Sequence, residues 1–241
     1  MHPSAPGRLM RDPDDSPERS PVEAVDCLAG GGAMGALMRS HDWSNTPLGP
    51  PSGWAQSLRT VVSICLSSRF PLLVCWGPDL IMLYNDGYRP ILGTDKHPHA
   101  LGRPYREVFP EIWDVMGPML TGVLSGEEAT WCEDQMLILE RNGFPEECYF
   151  TFSSSPVRDE SGGVGGVFVA VTETTARVLN ERRLRMLRDL ASRSSEAKDH
   201  ESACRIAATV LATNPQDVAF TLLYLQDEDG ETLRLAALTG I

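Results

Sequence analysis

The residues able to do chemistry are few and scattered. His97 and His99 flank Pro98, with Asp95 nearby. Imidazole and carboxylate both bind metals, but a metal site needs three or four ligands at matching spacing, and no further set accompanies this pair. His200-Glu201 places an acid after a histidine, as a phosphoacceptor site would. Ser202-Ala203-Cys204 follows it, and no glycine-rich nucleotide-binding segment occurs in the sequence. The six cysteines, Cys27, Cys65, Cys75, Cys132, Cys148 and Cys204, include no Cys-x-x-Cys pair, which argues against a zinc site or a disulfide framework. Glu133-Asp134 and Glu146-Glu147 are neighbours in strand-like runs, so the members of each pair face opposite ways and do not form an acid–base couple. No Ser/His/Asp or Cys/His arrangement stands out. The expectation is a chain with no catalytic residue and no metal ligand, and hence no enzyme within these residues.

The elements that must position any site are organised around Phe70 to Asn85, two short apolar runs broken by Gly77-Pro78-Asp79. Strand-length runs around Gly and Pro read as a β-hairpin, Pro71–Trp76 with Leu80–Tyr84. Upstream, Trp54, Leu58, Val61, Val62, Cys65 and Leu66 recur at helical spacing and predict a helix over 54–67, with Ser52 as its N-cap. Between Asp86 and Gly126 repeated Pro and Gly permit only short helices, the longest over 112–124, where Pro118 should kink or split it. Three strands follow, over 130–139, 146–155 and 164–172, joined by turns at Asn142-Gly143 and Asp159 to Gly163. Thr175 to Ala197 is a charged helix with two apolar seams, one through Leu179, Met186 and Leu190 and one through Leu184 and Leu187. Its spacing predicts a dimeric coiled coil or signalling linker. A last helix begins at Asp199 and stops at Asn214-Pro215, before strands over 219–225 and 232–238. One helix and one hairpin bury too little surface to stand as a domain.

Residues 1–30 are rich in Pro, Asp, Ser, Arg and Gly and lack the apolar surface that would offset ordering, which predicts a disordered tail. The 241 residues fit one or two domains, and a formal charge of −12 argues against nucleic acid and anionic membranes as partners. No apolar run reaches the ~18 residues of a membrane span, and the N-terminus has no signal-peptide core, so a cytoplasmic setting is expected.

Trp76-Gly77-Pro78, Tyr84-Asn85-Asp86-Gly87-Tyr88, Leu92-Gly93, Leu101-Gly102-Arg103-Pro104, Phe109-Pro110-Glu111, Ser155 to Gly162 and Val164-Gly165-Gly166-Val167 occur in that order. Together they resemble a PAS sensor domain over 68–175. His41-Asp42-Trp43-Ser44 with Pro47-Leu48-Gly49 looks like the lead-in that precedes PAS in bacterial sensor histidine kinases, and 199–241 is similar to the start of a GAF domain. Thr172-Glu173-Thr174 departs from the Asp-x-Thr that often ends a PAS domain.

The resemblance implies an α+β PAS fold, a five-stranded antiparallel sheet with short helices on one face. A linker helix over 176–198 and a partial GAF-like α/β unit over 199–241 would follow, with a helical lead-in over 31–67. It implies a ligand pocket between the sheet and the helices, for which the candidates are Trp76, Asn85, Tyr88, Trp113, Met116, Trp131, Phe150, Phe152 and Phe168. The same side chains serve equally as core. A haem PAS domain would carry a His on the longest helix, and a flavin-photoadduct domain an Asn-Cys-Arg-Phe. Residues 112–124 hold no His, and no Cys lies between 76 and 131, so neither cofactor is expected. The implied role is sensory input in two-component signalling: a small ligand or partner sensed by PAS and relayed through a homodimeric helix to GAF and to downstream kinase, output domains or a response regulator. A ligand-free dimerisation scaffold, and the input piece of an active histidine kinase, are the alternatives.

Overall fold

A computed structural model describes residues 26–227 and 230–240. Most of the expected tail, and two residues of the last hairpin turn, lie outside them. Residues 26–30 are not tail. Asp26–Leu28 form a 3₁₀ turn, Leu28 is buried, and the Arg39 guanidinium donates to the carbonyls of Leu28 and Gly30.

Two helices precede the sheet, and both are capped from far along the chain. Helix α1 (Gly32–Ser40) ends on Asp86, whose carboxylate accepts from the N–H groups of Ala33 and Met34 at 2.9 and 3.1 Å. Helix α2 (Gln56–Ser67) buries Leu58, Val61, Val62, Cys65 and Leu66 on one face. It starts two residues later than its apolar spacing predicts. Trp54 precedes it in extended conformation, buried, with its indole donating to the Gly49 carbonyl at 2.9 Å. The expected cap Ser52 lies in a separate 3₁₀ turn, Pro51–Gly53, too early to reach the helix. Glu160 does the work instead, accepting from the Ser57 N–H at 2.7 Å and its hydroxyl at 3.2 Å.

Strands β1 (Leu72–Trp76) and β2 (Ile81–Tyr84) form the expected hairpin. Helices α3 (Arg89–Lys96), α4 (Tyr105–Val108) and α5 (Trp113–Leu124) follow, and α5 runs unbroken through Pro118. Strands β3 (Thr130–Glu140), β4 (Pro145–Arg158) and β5 (Val164–Glu173) complete a five-stranded sheet in the order β2-β1-β5-β4-β3. Leu72, Leu73, Val74 and Cys75 are all buried, so β1 is covered on both faces, which is why it reads as a continuous apolar run rather than an alternating one. Helix α2 packs on β1 and β2. The sheet therefore has helices on both sides, where the resemblance implied one.

The chain divides into two compact units. The first holds residues 26–131, 139–146 and 152–172, so the lead-in helices belong with the sheet rather than to a separate region. The second holds 132–138, 147–151, 173–227 and 230–240. In it, α6 (Thr175–Ser194) packs on α7 (His200–Ala212), which opens with a capping box between Asp199 and Ser202 and lies against the two-stranded sheet of β6 (Thr221–Gln226) and β7 (Leu233–Thr239). The two seams of α6 separate: Leu179, Met186 and Leu190 are half-buried, whereas Leu184 and Leu187 are exposed. None of the described helices is long and apolar enough to cross a membrane.

Candidate functional site

Strand parity sorts the candidate residues before any contact is considered. Antiparallel partners share a face, and alternate residues change face. Trp76 pairs with Ile81 and Gly166, and Val74 pairs with Phe168. Trp76 and Phe168 therefore share one face with Leu72 and Val74. Leu73 and Cys75, with Tyr84, Met82, Val167 and Val169, occupy the other. Trp76 and Phe168 are not brought together with Tyr88, which neighbours Cys75 on that second face.

That second face meets an aromatic group carried by the helical segment. The rings of Tyr84 and Tyr88 lie 5.9 Å apart, those of Tyr105 and Phe109 5.0 Å, and those of Tyr105 and Trp113 6.4 Å. The Tyr84 hydroxyl is 3.0 Å from Nδ1 of His97. Burial, then the nearby Arg89, pull the His97 imidazole below its usual range, so the pair is neutral at pH 7. Tyr88 and Tyr105 are 5% and 3% exposed, and among the described residues neither hydroxyl has a hydrogen-bond partner. Burial drives both phenols upward, with Cys75 and Tyr84 adding to it at Tyr88 and Tyr88, Cys75 and Glu111 at Tyr105, and burial drives the Cys75 thiol upward as well. All three groups are neutral: two donors and a soft thiol, suited to an uncharged ligand and to no proton transfer near neutrality.

Asn85 serves the backbone. Its Oδ1 accepts from the N–H groups of Leu72 and Tyr88, both at 3.1 Å, and its Nδ2 donates towards the carbonyls of Cys65, Ser68 and Phe70 at 3.1, 3.0 and 2.7 Å. It joins the end of α2 to the start of β1, and no polar atom is left for a ligand. Trp113 is half-buried under the Arg106 guanidinium, 5.5 Å from its ring. Met116, Phe150 and Phe152 are buried. Trp131 is 68% exposed, because it lies on edge strand β3 at a position of outward parity, and so it does not line an interior pocket.

Tyr105 and Cys75 escaped the sequence reading. Tyr105, Val108, Phe109, Ile112 and Met116 recur at helical intervals and are all buried, a signal obscured by the prolines at 104 and 110.

A second arrangement binds α6 to strands of its own unit. Thr174 donates its hydroxyl to Asp134 Oδ1 at 2.7 Å, and Arg177 Nη2 reaches both Asp134 oxygens at 2.5 and 2.6 Å. These donors, Thr174 first, hold the Asp134 carboxyl below the usual range. Asp134 has φ of +49°, a left-handed turn within β3 that Asp tolerates better than most residues. One helical turn further, Arg182 bridges two carboxylates: Nε to Asp217 at 2.6 Å and Nη1 to Glu147 at 2.7 Å. Tyr149 adds its hydroxyl to Glu147 at 2.7 Å. Nothing local in the sequence points to these partners, which lie 35 to 43 positions apart.

The family model described as PAS fold matches residues 67–179. No curated protein matches the chain. Among solved structures, the sensory box sensor histidine kinase from Vibrio cholerae is 19% identical, with 48% of this chain and 89% of that one covered and a TM-score of 0.34. The PAS domain of BvgS from Bordetella pertussis is 18% identical, with 55% and 98% covered and a TM-score of 0.37. An RNA-binding Light-Oxygen-Voltage receptor is 21% identical, with 63% and 43% covered and a TM-score of 0.40, so the match spans less than half of that receptor.

Proposed function

We propose that the PAS domain at residues 67–179 is the sensory input of a signal-transduction protein and binds a small uncharged ligand against Tyr88, Tyr105 and Cys75. The observation that carries the reading is the convergence of the Tyr88 and Tyr105 side chains, 5% and 3% exposed, on the sheet face that carries Cys75. Each phenol can donate one hydrogen bond, so a ligand with two acceptor atoms fits the pair. Mass spectrometry of an extract of the denatured protein is the test. A small molecule should co-purify with the native chain and be depleted in the Tyr88→Phe/Tyr105→Phe double variant. Equal recovery from a folded double variant would remove this site from the reading.

The relay runs from the sheet into α6, supported by the Asp134–Thr174–Arg177 and Glu147–Arg182 contacts at its base. The exposed Leu184 and Leu187 then serve as the seam for a second copy, while Leu179, Met186 and Leu190 are half-buried within the protomer. Residues 199–241 are the beginning of a GAF-like unit that receives the signal. Light scattering of Leu184→Asp/Leu187→Asp should give the monomer mass where the parent gives the dimer, and an unchanged mass sinks the dimeric relay. No phosphotransfer is assigned to these residues; incubation with labelled ATP should leave the chain unlabelled, and a stable phosphohistidine would overturn that assignment.

A further inference from the structure

Away from that tyrosine pair, the far side of the first hairpin carries two open grooves of about 510 and 290 Å³. They share one wall, made by Ala55, Trp76, Gly77 and Pro78. Trp76 is the centre of that wall. Its indole lies flat on β5 because two consecutive glycines let it: a Cβ on Gly165 would sit 2.9 Å from Cζ2, and one on Gly166 would sit 2.6 Å from Cε3. The indole lines both grooves and is half-exposed, whereas Tyr88, Tyr105 and Phe109 are at most 5% exposed.

The polar groups around this apolar wall are of one sign. Asp159 and Glu160 line the larger groove and Asp79 the smaller, and no Lys, Arg or His lines either. Asp159 accepts from Ser161 and Gly163, and Glu160 from Ser57, all neutral donors. Asp79 has no partner among the described residues, and none of the three carboxylates is in an ion pair among them. A part-exposed indole lining both grooves beside carboxylates that pair with no cation fits one side chain above the others. A planar guanidinium stacks on the indole while its N–H fork reaches a carboxylate, which the strongly hydrated ammonium of lysine does less well.

We propose that the grooves flanking Trp76 dock an extended, arginine-bearing segment of a partner protein, with an Arg side chain laid on the indole. The site lies in the first unit and does not depend on the ligand reading of the tyrosine pair.

The test is fluorescence anisotropy of a labelled (Gly-Arg)₄ peptide titrated with the 241-residue chain, with (Gly-Lys)₄ as the charge-matched control. The arginine peptide should bind about fivefold more tightly than the lysine peptide. Trp76→Phe, which keeps an apolar ring in the packing, should erase most of that preference, and Asp79→Asn, which removes a carboxylate with no structural partner, should weaken the arginine peptide by a few-fold. Circular dichroism establishes that each variant is folded. Equal binding of both peptides, or an arginine preference that survives both substitutions, would overturn the proposal, because attraction to an acidic surface at large shows no dependence on Trp76. If Trp76→Phe does not fold, Asp79→Asn with the lysine control decides the matter on the same terms.

Discussion

Replacing Asn85 with Ala tests the reading of that residue as a structural pin. The side chain is 1% exposed and makes five polar contacts with backbone groups. Not all are lost at equal cost. The Tyr88 N–H keeps the Asn85 carbonyl at 3.1 Å, and the Cys65 carbonyl keeps the Ser68 N–H at 3.3 Å. The Leu72 N–H and the carbonyls of Ser68 and Phe70 lose a partner in or near the core. One orphaned N–H at ~1–3 kcal/mol and two carbonyl bonds at ~1 kcal/mol each give roughly 3–5 kcal/mol. All five tryptophans of the sequence lie at or before residue 131, so indole fluorescence during urea unfolding reports the first unit. With a slope of ~2 kcal/mol per molar, the midpoint should fall by about 2 M. Asn85→Asp should do no better, since it keeps the acceptor but faces three carbonyls with a carboxylate oxygen. A midpoint shift under about 0.5 M for Asn85→Ala would refute the reasoning and return Asn85 to the list of groups available to a ligand.

Gly166→Ala forces a Cβ to 2.6 Å from the Trp76 ring and 2.7 Å from the Cys75 carbonyl, which is held in the β1–β5 ladder. A loss of ~1–3 kcal/mol and a red-shifted fluorescence maximum are expected, and unchanged thermal melting would contradict them. Arg182→Met takes the cation from Glu147 and leaves Asp217 with only the exposed Arg183, at 3.6 Å. Hydrogen exchange of the α7 and β6 amides should accelerate by about tenfold or more, and unchanged protection would show that the bridge contributes nothing. Hydrogen bonding from Arg182 depresses the carboxyls of both Asp217 and Glu147 in the folded state. Their stabilising contribution is full above the unfolded values near 4 and is lost as pH falls through the lower folded values. Protection of α7 should hold from pH 7 to about 5 and drop below about 4 in the parent, and drop less in Arg182→Met, where only Arg183 still pairs with Asp217.

Much of the architecture was legible because it is local. The hairpin broken at Gly77-Pro78-Asp79, the turn at Asp159 to Gly163 and the amphipathic face of α2 each follow from a few consecutive residues. The site was legible only by residue type. Tyr88 belongs with the buried aromatic group, but Trp76 and Phe168 sit on the opposite sheet face, and that follows from the register of β1 against β5, which no local signal encodes. Trp131 was read by its bulk, whereas its place on an edge strand decides its exposure. Asn85 and Arg182 act on partners 13 to 35 positions away, where composition is silent.

The capping of α2 by Glu160 spans 103 positions, and that of α1 by Asp86 spans 53. Neither helix has its N-terminus closed until the chain has returned from a distant hairpin or turn. Loop closure of that length must precede the gain, so the two helices are late, high-contact-order features and not folding nuclei. On a ribosome the lead-in would emerge first and remain uncapped until Glu160 is synthesised. The physical unit is therefore longer than the stretch of sequence by which the domain is recognised. A fragment cut at residue 67 would remove the helix that covers one sheet face. A fragment ending before 160 would keep that helix but leave its first turn open.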